Sequence, residues 1–139
     1  MNPVTELKLS PDIVVGRTEH RQLLTLALAR AEDDTTDWLL AELERAMVVA
    51  DHAVPPNVVR MGSVVRYRSG NSERTVELVY PKAADIGSAR VSILTPVGAA
   101  LIGLRQGQSI TYATRDGRTQ SLTVLGVVNP PSPHQPAAA

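Results

Sequence analysis

The sequence lacks several residue types on which common functions depend. Its 139 residues include no cysteine and no phenylalanine, which excludes disulfides and thiolate metal sites. The few aromatic side chains are Trp38, Tyr67, Tyr80 and Tyr112. Four rings are too few to line an aromatic ligand pocket, so we expect an aliphatic core and no small-molecule substrate.

The chain also lacks the signals of export and of classical catalysis. No run approaches the roughly 18 apolar residues of a membrane span, and the N-terminus lacks the layout of a signal peptide. The three histidines show no metal-ligand spacing, and no phosphate-binding glycine loop is present. We therefore expect a soluble, cytoplasmic protein that is not an enzyme, with no catalytic residues, no metal site, no cofactor and no membrane contact.

Charge is distributed unevenly although the net charge is zero. Residues 1–52 carry ten acidic and five basic side chains, whereas residues 53–139 carry four acidic and nine basic side chains. This asymmetry indicates either two units with different roles or ordinary solvated faces.

Residues 1–52 show the apolar spacing of two helices. Thr18 is a plausible N-cap of the first helix. Its apolar stripe is Leu23, Leu24, Ala27, Leu28 and Ala31. The stripe of the second helix, which starts near Trp38, is Leu39, Leu40, Leu43, Met47 and Ala50. The pattern predicts a short antiparallel helical hairpin whose arms of about 14 residues are each ~21 Å long.

Residues 53–128 show the alternation of strands. Pro55 and Pro56 favour an extended linker, after which "SVVRYRS", "RTVELVY", "ARVSIL", "QSITYAT" and "QSLTVLGVV" follow as strands. The sequences "GNSE" and "RDGR" predict turns. We expect an α+β fold: the hairpin, then an antiparallel sheet with one short crossing helix. Residues 129–139 are proline-rich, which predicts a disordered tail.

The crossing helix lies in the segment Ser92–Ile110. Thr95 is a fitting N-cap, and Pro96 stands at the first helical position, where a missing N–H costs nothing. The pattern predicts a helix over Val97–Leu104 in which Gly98 and its two alanine neighbours form a face with little bulk.

At this point the residues resemble a known family. "TPVGAALIGLRQGQSI", preceded by "RVSIL" and followed by "DGR…LTVLGV", is similar to the C-terminal domain of the Gre transcript-cleavage factors over about residues 58–128. The resemblance implies an FKBP-like body, an N-terminal helical hairpin, and binding to bacterial RNA polymerase near its secondary channel. In Gre proteins the matching turn touches the channel rim, which implies contacts from Leu94, Thr95, Pro96 and Val97. Ile93 and Leu94 make this segment more apolar than its Gre counterpart.

An acidic cluster marks the tip of the hairpin: Glu32, Asp33, Asp34 and Asp37. Gre factors carry an acidic pair at the end of a long coiled coil, where it helps to hold a catalytic Mg²⁺ at the polymerase active site. Here the arms are short, so the cluster is explained by helix capping, with Asp34 as N-cap and Asp37 three residues on, and by solvation. Electrostatic contact with a basic polymerase surface is a second interpretation. We expect a protein that competes with Gre factors without stimulating cleavage.

Two other functions are compatible with parts of the sequence. Arg66, Arg68 and Arg74 could form a basic face that binds nucleic acid, although a solvated sheet face or contact with acidic proteins explains them as well. The FKBP-like shape suggests a prolyl isomerase, but the aromatic floor of such sites has no counterpart in this composition.

Overall fold

The computed structural model describes residues 11–30, 34–114 and 116–130. The N-terminal part consists of strand β1 (Val14–Gly16), helix α1 (Arg17–Ala29), helix α2 (Asp34–Arg45) and strand β2 (Met47–Val49). The remainder consists of β3 (Val64–Ser69), β4 (Ser72–Val79), β5 (Arg90–Ser92), helix α3 (Pro96–Leu101), β6 (Ser109–Ala113) and β7 (Thr119–Val128).

The two helices pack on each other as the apolar spacing predicts, but their buried side is narrower. Leu23 and Ala27 of α1 are buried, as are Leu39 and Leu43 of α2. Leu28, which the spacing placed in the same stripe, is 65% exposed, so that part of the prediction is wrong. It lies in the last turn of α1, where the described part of the chain leaves it largely uncovered.

Strand β2 replaces the end of the predicted second helix. The prediction that this helix includes Met47 and Ala50 is wrong, because α2 ends at Arg45. Met47–Val49 instead pairs in parallel with β1, and the N–H of Met47 donates to the carbonyl of Ile13 at 2.9 Å. A pairing between segments so far apart in sequence overrides the local helical spacing.

The first helix is capped by a residue that is distant in sequence. The prediction that Thr18 is the N-cap is wrong, because α1 begins at Arg17. The cap position is therefore Gly16, which has no side chain to accept a hydrogen bond. The carboxylate of Asp51 accepts the backbone N–H of Thr18 at 2.8 Å and also the Thr18 hydroxyl. Asp51 lies just after β2, so the parallel pairing of β1 and β2 brings the cap to the helix.

The main sheet has the strand order β5-β4-β3-β7-β6. Three of its pairings are antiparallel, and β4 and β5 are parallel. The predicted α+β fold is confirmed, with this one parallel pairing as its departure from an all-antiparallel sheet. Gly70 and Asn71 form the two-residue turn between β3 and β4, where Gly70 takes a φ of +61°.

Alternation along the strands fixes which side faces the core. Val65 and Tyr67 of β3 and Val76 and Leu78 of β4 are buried, as predicted. Helix α3 packs on this side and fills the core with Leu101. The buried concave side of the sheet therefore consists mainly of aliphatic side chains.

Helix α3 is shorter than its sequence pattern suggests. It ends at Leu101, so the predicted end at Leu104 is wrong. Ile102 is already extended with a ψ of 130°, and Gly103 takes a φ of +79°, a conformation that favours glycine. Ile102 and Leu104 nevertheless remain buried, which explains why their apolar character resembled a continued helix.

The segment after the two prolines is built into the body. Val58 and Val59 are buried, and the N–H of Val59 donates to the carbonyl of Leu104 at 2.8 Å. Asn129, the first residue of the predicted tail, donates from its side-chain amide to the carbonyls of Pro56 at 3.0 Å and Val58 at 3.1 Å. The end of β7 is thereby attached to the linker.

Some predictions concern residues outside those described. Ala31 of the predicted stripe and most of the predicted tail, residues 131–139, lie there. Within the described ranges, no helix is long and apolar enough to cross a membrane.

Candidate functional site

The turn that precedes α3 is held by the side chains of Ser92 and Thr95. The Thr95 hydroxyl accepts the N–H of Gly98 at 3.1 Å and donates to the carbonyl of Ser92 at 2.7 Å. The Ser92 hydroxyl accepts the N–H of Leu94 at 3.0 Å. The predicted capping role of Thr95 and the placement of Pro96 at the first helical position are both confirmed.

Gly98 lets α3 approach β5 closely. A β-carbon on Gly98 would lie 2.1 Å from the carbonyl oxygen of Ser92 and 2.9 Å from the Cα of Ile93. No side chain fits at this distance, so the helix begins directly against the strand end. Ile93 is fully buried as a result.

The surface of this turn is formed by four half-buried residues: Leu94, Thr95, Pro96 and Val97. We call this segment the docking turn. Ile93, which makes the sequence apolar here, belongs to the core and adds nothing to the exposed surface. Backbone and side-chain hydrogen bonds fix the shape of the turn within the chain itself.

The acidic tip is only partly described. Asp34 and Asp37 are exposed in the first turn of α2, where carboxylates favour the positive end of the helix dipole. Glu32 and Asp33 lie outside the described residues. Since α2 begins at Asp34 itself, that residue occupies the first helical position rather than the flanking cap position. In the described part of the chain, no three histidine or acidic side chains are grouped as metal ligands.

The three arginines of the candidate basic face do not lie together. Arg66 and Arg68 point away from the core, and both contact Glu73, at 3.2 Å and 3.4 Å. Arg74 pairs in register with Tyr67, which is buried, so Arg74 lies on the opposite side of the sheet. The hairpin therefore separates Arg74 from the other two, and one carboxylate partly neutralises the pair that remains.

Polar contacts that the sequence did not reveal hold α1 against the body. Glu19 accepts the N–H of Met61 at 3.3 Å and lies 3.7 Å from the Arg60 guanidinium. One turn later, the Tyr80 hydroxyl donates to the Gln22 side chain at 3.0 Å. Together with the Asp51 cap, these contacts fix the direction of the hairpin relative to the sheet. No local pattern could have identified them, because each joins residues at least 30 positions apart.

Burial changes the ionisation of two residues at this junction. It raises the pKa of Glu19, and the nearby Arg60 charge opposes that rise only in part. Burial also raises the pKa of Tyr80 to about 12, to which the Glu19 carboxylate adds. By contrast, the hydrogen bonds from Thr18 lower the pKa of Asp51. Tyr80 therefore stays a hydrogen-bond donor throughout the physiological range.

Comparison with known proteins identifies the family. Residues 54–129 match the family model of the transcription elongation factor GreA/GreB C-terminal domain. The chain belongs to the GreA/GreB family. The match includes β3 to β7, α3 and the docking turn, and it confirms the resemblance found in the sequence.

Two individual relatives refine this assignment. The chain is 39% identical over 105 residues to the regulator of nucleoside diphosphate kinase (Rnk) of Escherichia coli K12, covering 74% of each chain. The segments "MGSVVRYR", "LVYP" and "PVGAALIGLR" point to the same relative within the family, and that resemblance is confirmed. The chain is also 39% identical over 75 residues to GreA of Thermodesulfovibrio yellowstonii, covering 52% of this chain and 48% of that protein.

A solved structure shares the same architecture. The GreA/GreB transcription elongation factor from Nitrosomonas europaea superposes with a TM-score of 0.68 at 36% identity, covering 86% of this chain and 99% of that chain. The likeness extends over the helical hairpin as well as the sheet. The chain is thus a homologue of transcription factors, with a short N-terminal helix pair and a GreA/GreB C-terminal domain.

Proposed function

We propose that the chain binds bacterial RNA polymerase at the rim of the secondary channel, through the docking turn, and that it does not stimulate transcript cleavage. The observation that carries the proposal is the turn itself. Thr95 and Pro96 stand at the start of α3 as the Gre resemblance requires, inside the segment that matches the GreA/GreB family model. The half-buried side chains of the turn offer a preformed contact surface.

The length of the hairpin supports binding without catalysis. Helices α1 and α2 have 13 and 12 residues, which corresponds to about 20 and 18 Å at 1.5 Å per residue. A body seated at the channel rim would need a much longer coiled coil to place acidic side chains at the catalytic metal. Asp34 and Asp37 instead lie exposed in the first turn of α2, where they favour the positive end of the helix dipole. The chain therefore competes with Gre factors for their docking position and acts by binding, not as an enzyme.

The relative from Escherichia coli carries a name that adds to the proposal. It is a regulator of nucleoside diphosphate kinase, and we extend that regulatory role to this chain. The chain has no phosphate-binding glycine loop of its own, so the regulation follows from binding.

Two alternatives receive less support from the geometry. The geometry gives little support to nucleic-acid binding by the arginines. Arg66 and Arg68 both contact Glu73, and Arg74 lies on the other side of the sheet. An isomerase pocket would need exposed aromatic walls, whereas Tyr67 and Tyr112 are buried and Trp38 of α2 packs against the hydrophobic core.

Transcript cleavage in stalled elongation complexes tests this proposal. We expect the chain alone to leave cleavage at the background rate, and increasing amounts of it to reduce the cleavage stimulated by a Gre factor. Cleavage at Gre-like rates by the chain alone would refute the lack of catalysis. An unchanged rate of Gre-stimulated cleavage, at saturating chain, would refute the shared docking position.

A further inference from the structure

The connection between β4 and β5 presents one apolar side chain entirely to solvent. Residues 82–90 are all exposed, and Ile86 is 96% exposed. The other exposed large hydrophobic residues in the described ranges are 39% to 69% exposed. A single partly exposed apolar residue is ordinary on a protein surface, but a branched side chain that no described residue covers is not explained by the described fold.

The loop that carries Ile86 is ordered without help from its side chain. Asp85 and Arg90 exchange two backbone hydrogen bonds of 3.0 and 2.9 Å. The Asp85 carboxylate also accepts the N–H of Gly87 at 3.0 Å and the hydroxyl of Ser88 at 3.1 Å. Ile86 occupies the resulting short helical turn and contributes nothing to the core. The backbone at Ile86 is therefore fixed in advance, which lowers the backbone entropy lost when a partner covers the loop.

Ile86 and the docking turn lie along the same edge of the sheet. Strand β5 is the edge strand; its first residue, Arg90, closes the Ile86 loop, and the docking turn follows its last residue, Ser92. Arg90 and Ser92 are about 7 Å apart at ~3.3 Å per residue. A single protein surface can thus contact both ends of this strand at once.

We propose that Ile86 is a second anchor for RNA polymerase: it inserts into an apolar socket on the same polymerase surface that receives the docking turn. This proposal rests on the proposed function and specifies which further residue contributes affinity. Burial of a branched apolar side chain at an interface removes apolar surface from water, which favours binding. The loop that carries Ile86 and the docking turn are both held by hydrogen bonds, so their backbones present two separate contacts, spaced by strand β5.

The affinity of the full chain for RNA polymerase tests the role of Ile86. We expect Ile86→Ser to weaken binding at least about tenfold, which is the loss expected for a buried branched side chain, and Ile86→Val to retain most of the affinity. The thermal midpoint of both variants should equal that of the wild type, because the side chain of Ile86 is 96% exposed and adds nothing to the described core. Val128→Ser is the matched control: Val128 is 69% exposed at the end of β7 and away from this edge.

The outcomes distinguish the role of Ile86 from the binding of RNA polymerase on which it rests. Wild-type affinity in Ile86→Ser would overturn the role of Ile86 and leave polymerase binding by the chain intact. Absence of binding by the wild-type chain would overturn both. Equal loss in Val128→Ser would show a non-specific effect of surface hydrophobicity and would also overturn the proposal. The proposal would also be overturned if the wild-type chain were a dimer and Ile86→Ser made it a monomer with unchanged affinity for polymerase.

Discussion

Gly98 lies so close to Ser92 that a β-carbon at position 98 would come within 2.1 Å of the Ser92 carbonyl oxygen. That oxygen also accepts the hydroxyl of Thr95. The Ser92 carbonyl thus sets both the approach of α3 to β5 and the orientation of the capping residue Thr95. The shape of the docking turn therefore depends on the absence of a side chain at position 98.

Gly98→Ala should therefore destabilise the protein. The clash is with backbone, which cannot rotate away, and we expect the free energy of unfolding to fall by about 3 kcal/mol. Chemical denaturation measures this change. Gly126→Ala is the control, because no atom lies within 4 Å of a β-carbon there; equal stability losses in the two variants would contradict the close-approach explanation.

Removal of the distant cap should loosen the hairpin. Asp51→Ala leaves the N–H of Thr18 without its acceptor, and we expect a loss of about 1 kcal/mol in the free energy of unfolding. Because the pKa of Asp51 is lowered in the folded state, its contribution is present above the unfolded value of 3.8 and is lost as the pH falls through the folded pKa. We expect denaturation at acid pH to show a smaller loss of stability in Asp51→Asn than in the wild type as the pH falls.

Glu19 should give the opposite pH dependence. Its folded-state pKa is raised above 4.5 because burial outweighs the attraction of Arg60. Its stabilising effect is then fully present below the unfolded pKa and is lost as the pH rises through the folded pKa. We expect Glu19→Gln to remove this fall and to be no less stable than the wild type at neutral pH, as measured by urea denaturation. A clearly less stable variant at neutral pH would show that the Arg60 ion pair dominates.

The arginine pair should not serve polymerase or nucleic-acid binding. Arg66 and Arg68 are about half exposed, and exposed ion pairs of this kind contribute little to stability. The double variant Arg66→Ala/Arg68→Ala should keep the polymerase affinity and the fold of the wild type. Fluorescence anisotropy with single-stranded and double-stranded nucleic acid should detect no tight, salt-dependent binding by the wild type; such binding, abolished in the double variant, would restore the alternative function.

The sequence was sufficient for the features that depend on local chemistry. The capping hydroxyl of Thr95 and the fixed φ of Pro96 act within one turn, so the start of α3 could be predicted from neighbouring residues. The buried side of β3 and β4 followed from alternation for the same reason. Even the separation of Arg74 from Arg66 was present in that alternation, because Arg74 shares its face with the buried Val76.

Features that depend on distant pairings could not be predicted in the same way. The apolar spacing of Met47 is compatible with a helix, and only its pairing with β1 makes the segment a strand. The cap of α1 comes from Asp51, 33 residues beyond Thr18. The sequence also did not single out Ile86, because one apolar residue in a polar loop forms no helical or strand pattern. Only its exposure in the folded chain distinguishes it.

The central claim is that the docking turn binds RNA polymerase, and the affinity of a variant with a changed surface but an intact cap tests it most directly. Pro96→Lys places a charged side chain at the first helical position while Thr95 keeps its hydrogen bonds, and Thr95→Ser serves as the conservative control. We predict that Pro96→Lys loses at least about tenfold in affinity while it stays folded with only a modestly lower thermal midpoint, and that Thr95→Ser binds as the wild type does. A folded Pro96→Lys protein with wild-type affinity would contradict the claim.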